Sequence, residues 1–184
     1  ENHLSKDLPI KMEDYEHGTA VSSIIVDGPT LNPLLEDGCG RFRVKHFGVS
    51  TKDRTSSSYI MKKVKEIVEN NRDIRVWNFS LGSELEINEN FISPEAAILD
   101  ELQHKYDIIF VVSGTNDNEE SGAKKIGRPA DSINSIVVNS VDLFGKPAPY
   151  SRKGPVLRFF TKPDVSTFGG NREDEMIVWS CYGR

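Results

Sequence analysis

With 184 residues, 37% of them hydrophobic and 28% charged, the sequence has the size and balance of one globular domain, residues 1–184, with a substantial core. A net charge of -5 and a pI near 5.4 argue against a phosphate-binding face, so no nucleic-acid partner is expected. No apolar run approaches the roughly 20 residues of a spanning helix and no signal peptide opens the chain, so no membrane partner is expected either.

Residues 1–16 are polar and contain Pro9, which reads as a surface loop; Asp7 and Asp14 fall in it as solvated carboxylates. From His17 the pattern becomes helical, with Val21, Ile24 and Ile25 on one face and an end near Asp27-Gly28-Pro29. His17 therefore stands on a first helical turn, with little bulk around it from Gly18 and Thr19. Residues 41–49 alternate polar and apolar, as a strand with one exposed face does, and His46 falls on the exposed side as a surface histidine. Ser57 and Ser58 can cap a helix whose apolar stripe is Ile60, Val64, Ile67 and Val68 and whose other face carries Lys62, Lys63, Lys65 and Glu66. Asn70-Asn71 ends it, and Ile74 to Ser80 makes a strand. Ser93 and Pro94 then open a helix with Ile98, Leu102 and Tyr106 inward. Strand, helix and strand in succession imply a parallel sheet in an α/β fold.

The segment from Asp107 to Asn118 is the centre of the pattern. Its run Ile108 to Val112 reads as a strand buried on both faces, and it breaks into Ser113, Gly114, Thr115 and Asn116. Ligands of parallel sheets gather beyond the carboxyl ends of the strands, which places Ser113, Gly114 and Asn116 where a substrate would lie. Glycine permits close approach of a ligand backbone, and an asparagine amide can donate to a developing negative charge. Alternatively, the segment is a polar turn after a core strand. The acidic loop from Asp117 to Gly127 lacks the positions of a calcium loop and reads as surface. Residues 133–142 form another core strand, and Met176 to Ser180 is a last apolar run.

His17-Gly18-Thr19-Ala20-Val21, Asn78-Phe79-Ser80-Leu81-Gly82, Ser113 to Asn116, Tyr150-Ser151-Arg152-Lys153-Gly154-Pro155 and Lys162-Pro163-Asp164-Val165 occur in this order. Together they resemble the subtilisin-like serine peptidases, the subtilases, over nearly the whole chain. The resemblance implies a three-layer subtilisin-like fold with a central, mostly parallel sheet flanked by helices, here incomplete. It implies peptide or protein substrates, His17 as general base and Asn116 as oxyanion donor. Ser80, Leu81 and Gly82 would form one wall of the substrate cleft, and Ser113 and Gly114 the opposite wall of the pocket for the residue before the scissile bond. Thr115 departs from the family, which usually has glycine there.

Subtilases present Asp, His and Ser in chain order. No Gly-Thr-Ser nucleophile motif occurs in the sequence, and no early acid follows a buried strand. The expectation is a fragment of a serine endopeptidase, itself inactive, with the Asp before Glu1 and the Ser after Arg184. Sheet elements left unpaired by such a cut would favour a dimer. A catalytically dead, peptide-binding subtilase-like module is the alternative. A nucleotide-binding α/β domain is disfavoured by the lack of a phosphate-cradling glycine motif. Cys39 and Cys181 match no metal spacing and read as free thiols; no metal or cofactor is expected, and the composition suggests the cytosol, with secretion as the alternative.

Overall fold

The computed structural model describes residues 1–4, 9–52, 55–117, 124–171 and 175–182, so Asp7 and Asn118 lie outside the described residues. It divides into two compact units, one of Glu1–Val64 with Met176–Arg184 and one of Lys65–Glu175.

In the first unit, α1 spans Glu16–Leu31 and is kinked at Asp27, whose φ of -136° leaves the helical region two residues before Pro29. The expected end at Asp27-Gly28-Pro29 is thus a bend, as an imino acid lacking its N–H requires. Asp14 is no free loop acid. Its carboxylate accepts the backbone N–H groups of Lys11 (2.8 Å) and Lys52 (2.7 Å), which hold it below its ordinary pKa. Asn32 exchanges two hydrogen bonds with the backbone of Ile177, and Ser23 accepts from the N–H of Trp179, so residues 176–180 are tied to α1 although Ile177 to Trp179 stay exposed. Residues 41–49 do not form the expected strand. Among the described residues, pairing there is confined to a parallel bridge between Gly48 and Asn2, and positions 41–46 are all exposed. Without a covered face the alternation has nothing to enforce a pleat.

α2, Ser57–Asn70, buries Met61, Val64, Ile67 and Val68 as its stripe requires. Its cap is Ser56, one position before the expected serines: the Ser56 hydroxyl accepts from the Tyr59 N–H.

The second unit is built on an all-parallel sheet in the order β1 (Val76–Phe79), β2 (Ile109–Ser113), β3 (Ile136–Val141), β4 (Val165–Phe168). Flanking helices make the arrangement α/β. α3, Pro94–Tyr106, crosses between β1 and β2 and packs against β2. Ser93 caps it, accepting from the Ala96 N–H, and Pro94 opens it. The buried positions are Ala96, Leu99, Leu102 and Gln103, so the inward face is rotated from the expected one and only Leu102 is common to both; Ile98 and Tyr106 are half-buried. The helix ends at Asp107 in a left-handed conformation, φ 51°, which a short polar residue tolerates, and Arg75 binds the Tyr106 and Asp107 carbonyls there.

β2 lies inside the sheet, yet only Phe110 and Val112 are buried. Ile109, Val111 and Ser113 are half-buried, so the strand is covered on one face rather than both. The Lys162-Pro163-Asp164-Val165 segment leads into β4, a strand the periodicity did not predict. Lys162 Nζ donates to the Ser135 carbonyl (2.7 Å), the Ile133 carbonyl (3.4 Å) and Asp164 Oδ2 (2.6 Å). Asp164 Oδ2 also accepts from the Val137 N–H, and the Asp164 N–H donates to the Val137 carbonyl, which joins the starts of β3 and β4.

Candidate active site

The chemistry-bearing side chains lie in both units, and each unit presents its own. In the first, His17 is the second residue of α1 and is exposed. Residues just before it are held by Lys52, which donates to Glu16 (2.7 Å) and, through its N–H, to Asp14. Gly18 lets the His46 ring pack closely: a Cβ there would come within 2.5 Å of the ring tip, which would have to move. That ring also hydrogen-bonds Ser22 (3.2 Å), one turn further along α1. His46 was expected to be a plain surface residue. Its backbone runs along the surface, but its imidazole packs on the His-Gly-Thr helix and lines a 590 Å³ depression with Gly18, Ser22 and Trp179. Desolvation first, with a contribution from His17, lowers its pKa. Gly18 was the available signal for this packing, since a glycine in a first helical turn usually marks a close approach.

In the second unit a groove of about 270 Å³ opens at the carboxyl ends of the strands, as the parallel topology dictates. Ser80 beyond β1, Ser113 at the end of β2 and Asn116 line it together, three of the residues singled out from sequence. Asn116 is exposed, and its position is fixed by a bridge to Ser151 and by the Asp117 N–H donating to the Tyr150 carbonyl (2.7 Å). Gly114 is buried beneath the groove: a Cβ there would lie 1.8 Å from Asn139 Oδ1. Leu81 and Gly82 are not in the groove lining; Gly82 instead faces the side chain of Thr115, with which a Cβ would collide at 2.1 Å.

Thr115 is unusual in two ways. Its φ of 70° lies in the left-handed region, where a β-branched residue is strained by on the order of 1–3 kcal/mol. Its hydroxyl donates to the Gly114 carbonyl (2.6 Å) and accepts from the Gly127 N–H (2.8 Å), while its own N–H donates to Ser113 Oγ (3.2 Å). The far end of the loop after Asn116 is therefore pinned to the residue before it. Glu86 adds to this by accepting from the N–H groups of Lys125 and Lys124, which lower its pKa. Ile126 and Gly127 are buried, so this end of the loop is not the surface segment expected; residues 118–123 lie outside the described set.

Asn139, Ser140 and Thr167 also line the groove and were not singled out from sequence; Ser151, part of the Tyr150 to Pro155 motif, lines it too, as does Thr115. Asn139 donates to the Arg152 carbonyl (2.6 Å), and Ser151 to that of Ser140 (2.7 Å). For Asn139 and Ser140 the signal was polarity appearing in the last part of a core strand, where the sheet's open end begins; Thr167 lies in β4, which the periodicity did not predict. Among the described residues no cluster of acids, histidines and cysteines could hold a metal ion. No helix among them is long and apolar enough to cross a membrane.

Several solved structures share this fold. The epidermin leader peptide processing serine protease EpiP from Staphylococcus aureus is 18% identical with a TM-score of 0.63, over 92% of this chain and 48% of that one. A lanthipeptide protease is 19% identical with a TM-score of 0.57, over 94% and 48%. The S41 psychrophilic protease is 16% identical with a TM-score of 0.57, over 91% and 59%. The chain thus spans roughly half to three fifths of the length of these structures. No curated protein matches it. The family model of the subtilase family, peptidase S8, matches residues 2–183, and with the ordered motifs and the parallel sheet this places the chain in the subtilase family.

Proposed function

We propose that the chain is part of a subtilisin-like serine endopeptidase that cleaves peptide bonds through an acyl-enzyme. The observation that carries the reading is the groove at the strand ends with Asn116 exposed at its edge, in a chain matched by the subtilase model almost end to end. In the proposed reaction a serine hydroxyl attacks the scissile carbonyl, and His17 takes its proton and later returns it to the leaving amine. The Asn116 amide donates to the oxyanion, and the backbone of Ser80, Leu81 and Gly82 pairs with an extended substrate. The sequence has no Gly-Thr-Ser motif. The nucleophile and the triad aspartate of this proposal therefore belong to a longer protein, and the 184 residues alone are inactive.

The test is fluorophosphonate labelling of the full-length protein that carries this chain, with peptide turnover measured alongside. Labelling at a serine, abolished by His17→Ala, is expected. Asn116→Ala should slow turnover about 100- to 1000-fold, a magnitude taken from the loss of the oxyanion amide in subtilisin and not calculated from this geometry. A folded protein that neither labels nor cleaves would replace this reading with that of a peptide-binding module.

A further inference from the structure

We propose that Thr115 sets substrate choice at this site, filling the pocket for the side chain before the scissile bond so that peptides with glycine, alanine or serine there are preferred. The inference rests on the endopeptidase reading above. The two expected walls of that pocket are Ser80 to Gly82 and Ser113 to Gly114, and the Thr115 side chain stands between them. Its methyl group reaches Gly82 so closely that a Cβ on that glycine would come to 2.1 Å. On its other side a Cβ at Gly127 would come to 3.0 Å from the Thr115 hydroxyl and 2.2 Å from the Ser83 carbonyl. A methyl added at either glycine would have no room beside Thr115, which is only 8% exposed and turns its remaining surface to the groove.

The plug is also fixed. Turning the side chain aside would break the bonds of its hydroxyl to the Gly114 carbonyl and the Gly127 N–H. A strained left-handed backbone persists only where its surroundings over-determine it, and these bonds, with the Gly82 contact, do so. A branched or aromatic substrate side chain would have to displace all of them. A single methylene in an apolar pocket already changes kcat/KM about 10- to 200-fold.

The experiment measures kcat/KM of the full-length protein on peptides that differ only in the residue before the scissile bond: glycine, alanine, leucine and phenylalanine. Wild type is expected to favour glycine and alanine over leucine and phenylalanine by at least ~10-fold. Thr115→Ser keeps the hydroxyl and its bonds but removes the methyl facing Gly82, and should raise the leucine-to-glycine ratio; Thr115→Gly should raise it further and extend the gain to phenylalanine. Wild type accepting phenylalanine as readily as glycine, or ratios unmoved in both variants, would overturn the proposal while the endopeptidase reading stands. Absence of cleavage of every peptide, with no fluorophosphonate labelling, would remove both.

Discussion

At the scale of single residues, the informative positions are those where a glycine and its neighbour define each other. Gly18 and His46 are such a pair, and the histidine's ring pays for its close packing with a lowered pKa. In the unfolded chain a histidine titrates near 6.5, so just below that pH the unfolded state binds a proton that the folded state refuses. Stability is then complete above about pH 6.5 and falls as the pH drops through the lowered folded value. The groups that act on the ring are Ser22 and His17. His46→Gln is expected to flatten the fall in thermal midpoint in the pH range just below about 6.5. Asp14 and Glu86, whose values are lowered, titrate below that window. An unaltered slope in the variant would assign the effect elsewhere. None of this was legible in the sequence, where His46 is one polar position in an alternating stretch, because the contact is made across 28 residues.

Elements were legible where a local signal coincided with burial. Ser93-Pro94 announced α3, and the structure adds the reason the signal is strong: Asp131, fully buried, accepts from both the N–H and the hydroxyl of Ser93. Ser93→Ala removes the cap on the Ala96 N–H and leaves one Asp131 oxygen buried without its donor. A loss of about 2 kcal/mol is expected. It should appear as a lower urea midpoint with unchanged slope, whereas a shift of a few tenths would show that the cap matters little. Elements were illegible where burial was missing. β4 is four residues, three of them exposed, and its strand state comes from pairing with β3 and not from any apolar alternation. Residues 41–49 show the converse, since they alternate well but have almost no strand partner among the described residues. The site divides in the same way. Ser80, Ser113 and Asn116 could be placed because the ends of parallel strands are where grooves form, whereas nothing local marks Thr115 as left-handed.

For the whole molecule, the family was readable because five motifs kept their order along the chain, a property that survives where pairwise identity has fallen to 16–19%. One of them, Lys162-Pro163-Asp164-Val165, also gives the second unit an internal clock. The Lys162 ammonium is 1% exposed and spends its protons on three acceptors that join β3 to β4, whereas Lys146 and Lys153 in the same unit are exposed. An amine-reactive reagent should therefore modify Lys146 and Lys153 within the native state and reach Lys162 only when those strands separate. Followed by mass spectrometry, the Lys162 adduct should accumulate at the rate of sheet opening and accelerate in sub-denaturing urea, while the other two stay constant. Modification of all three at one rate would mean that the strand junction breathes freely. A side chain whose evident task is to fasten two strands would then serve as a timer for how often they part.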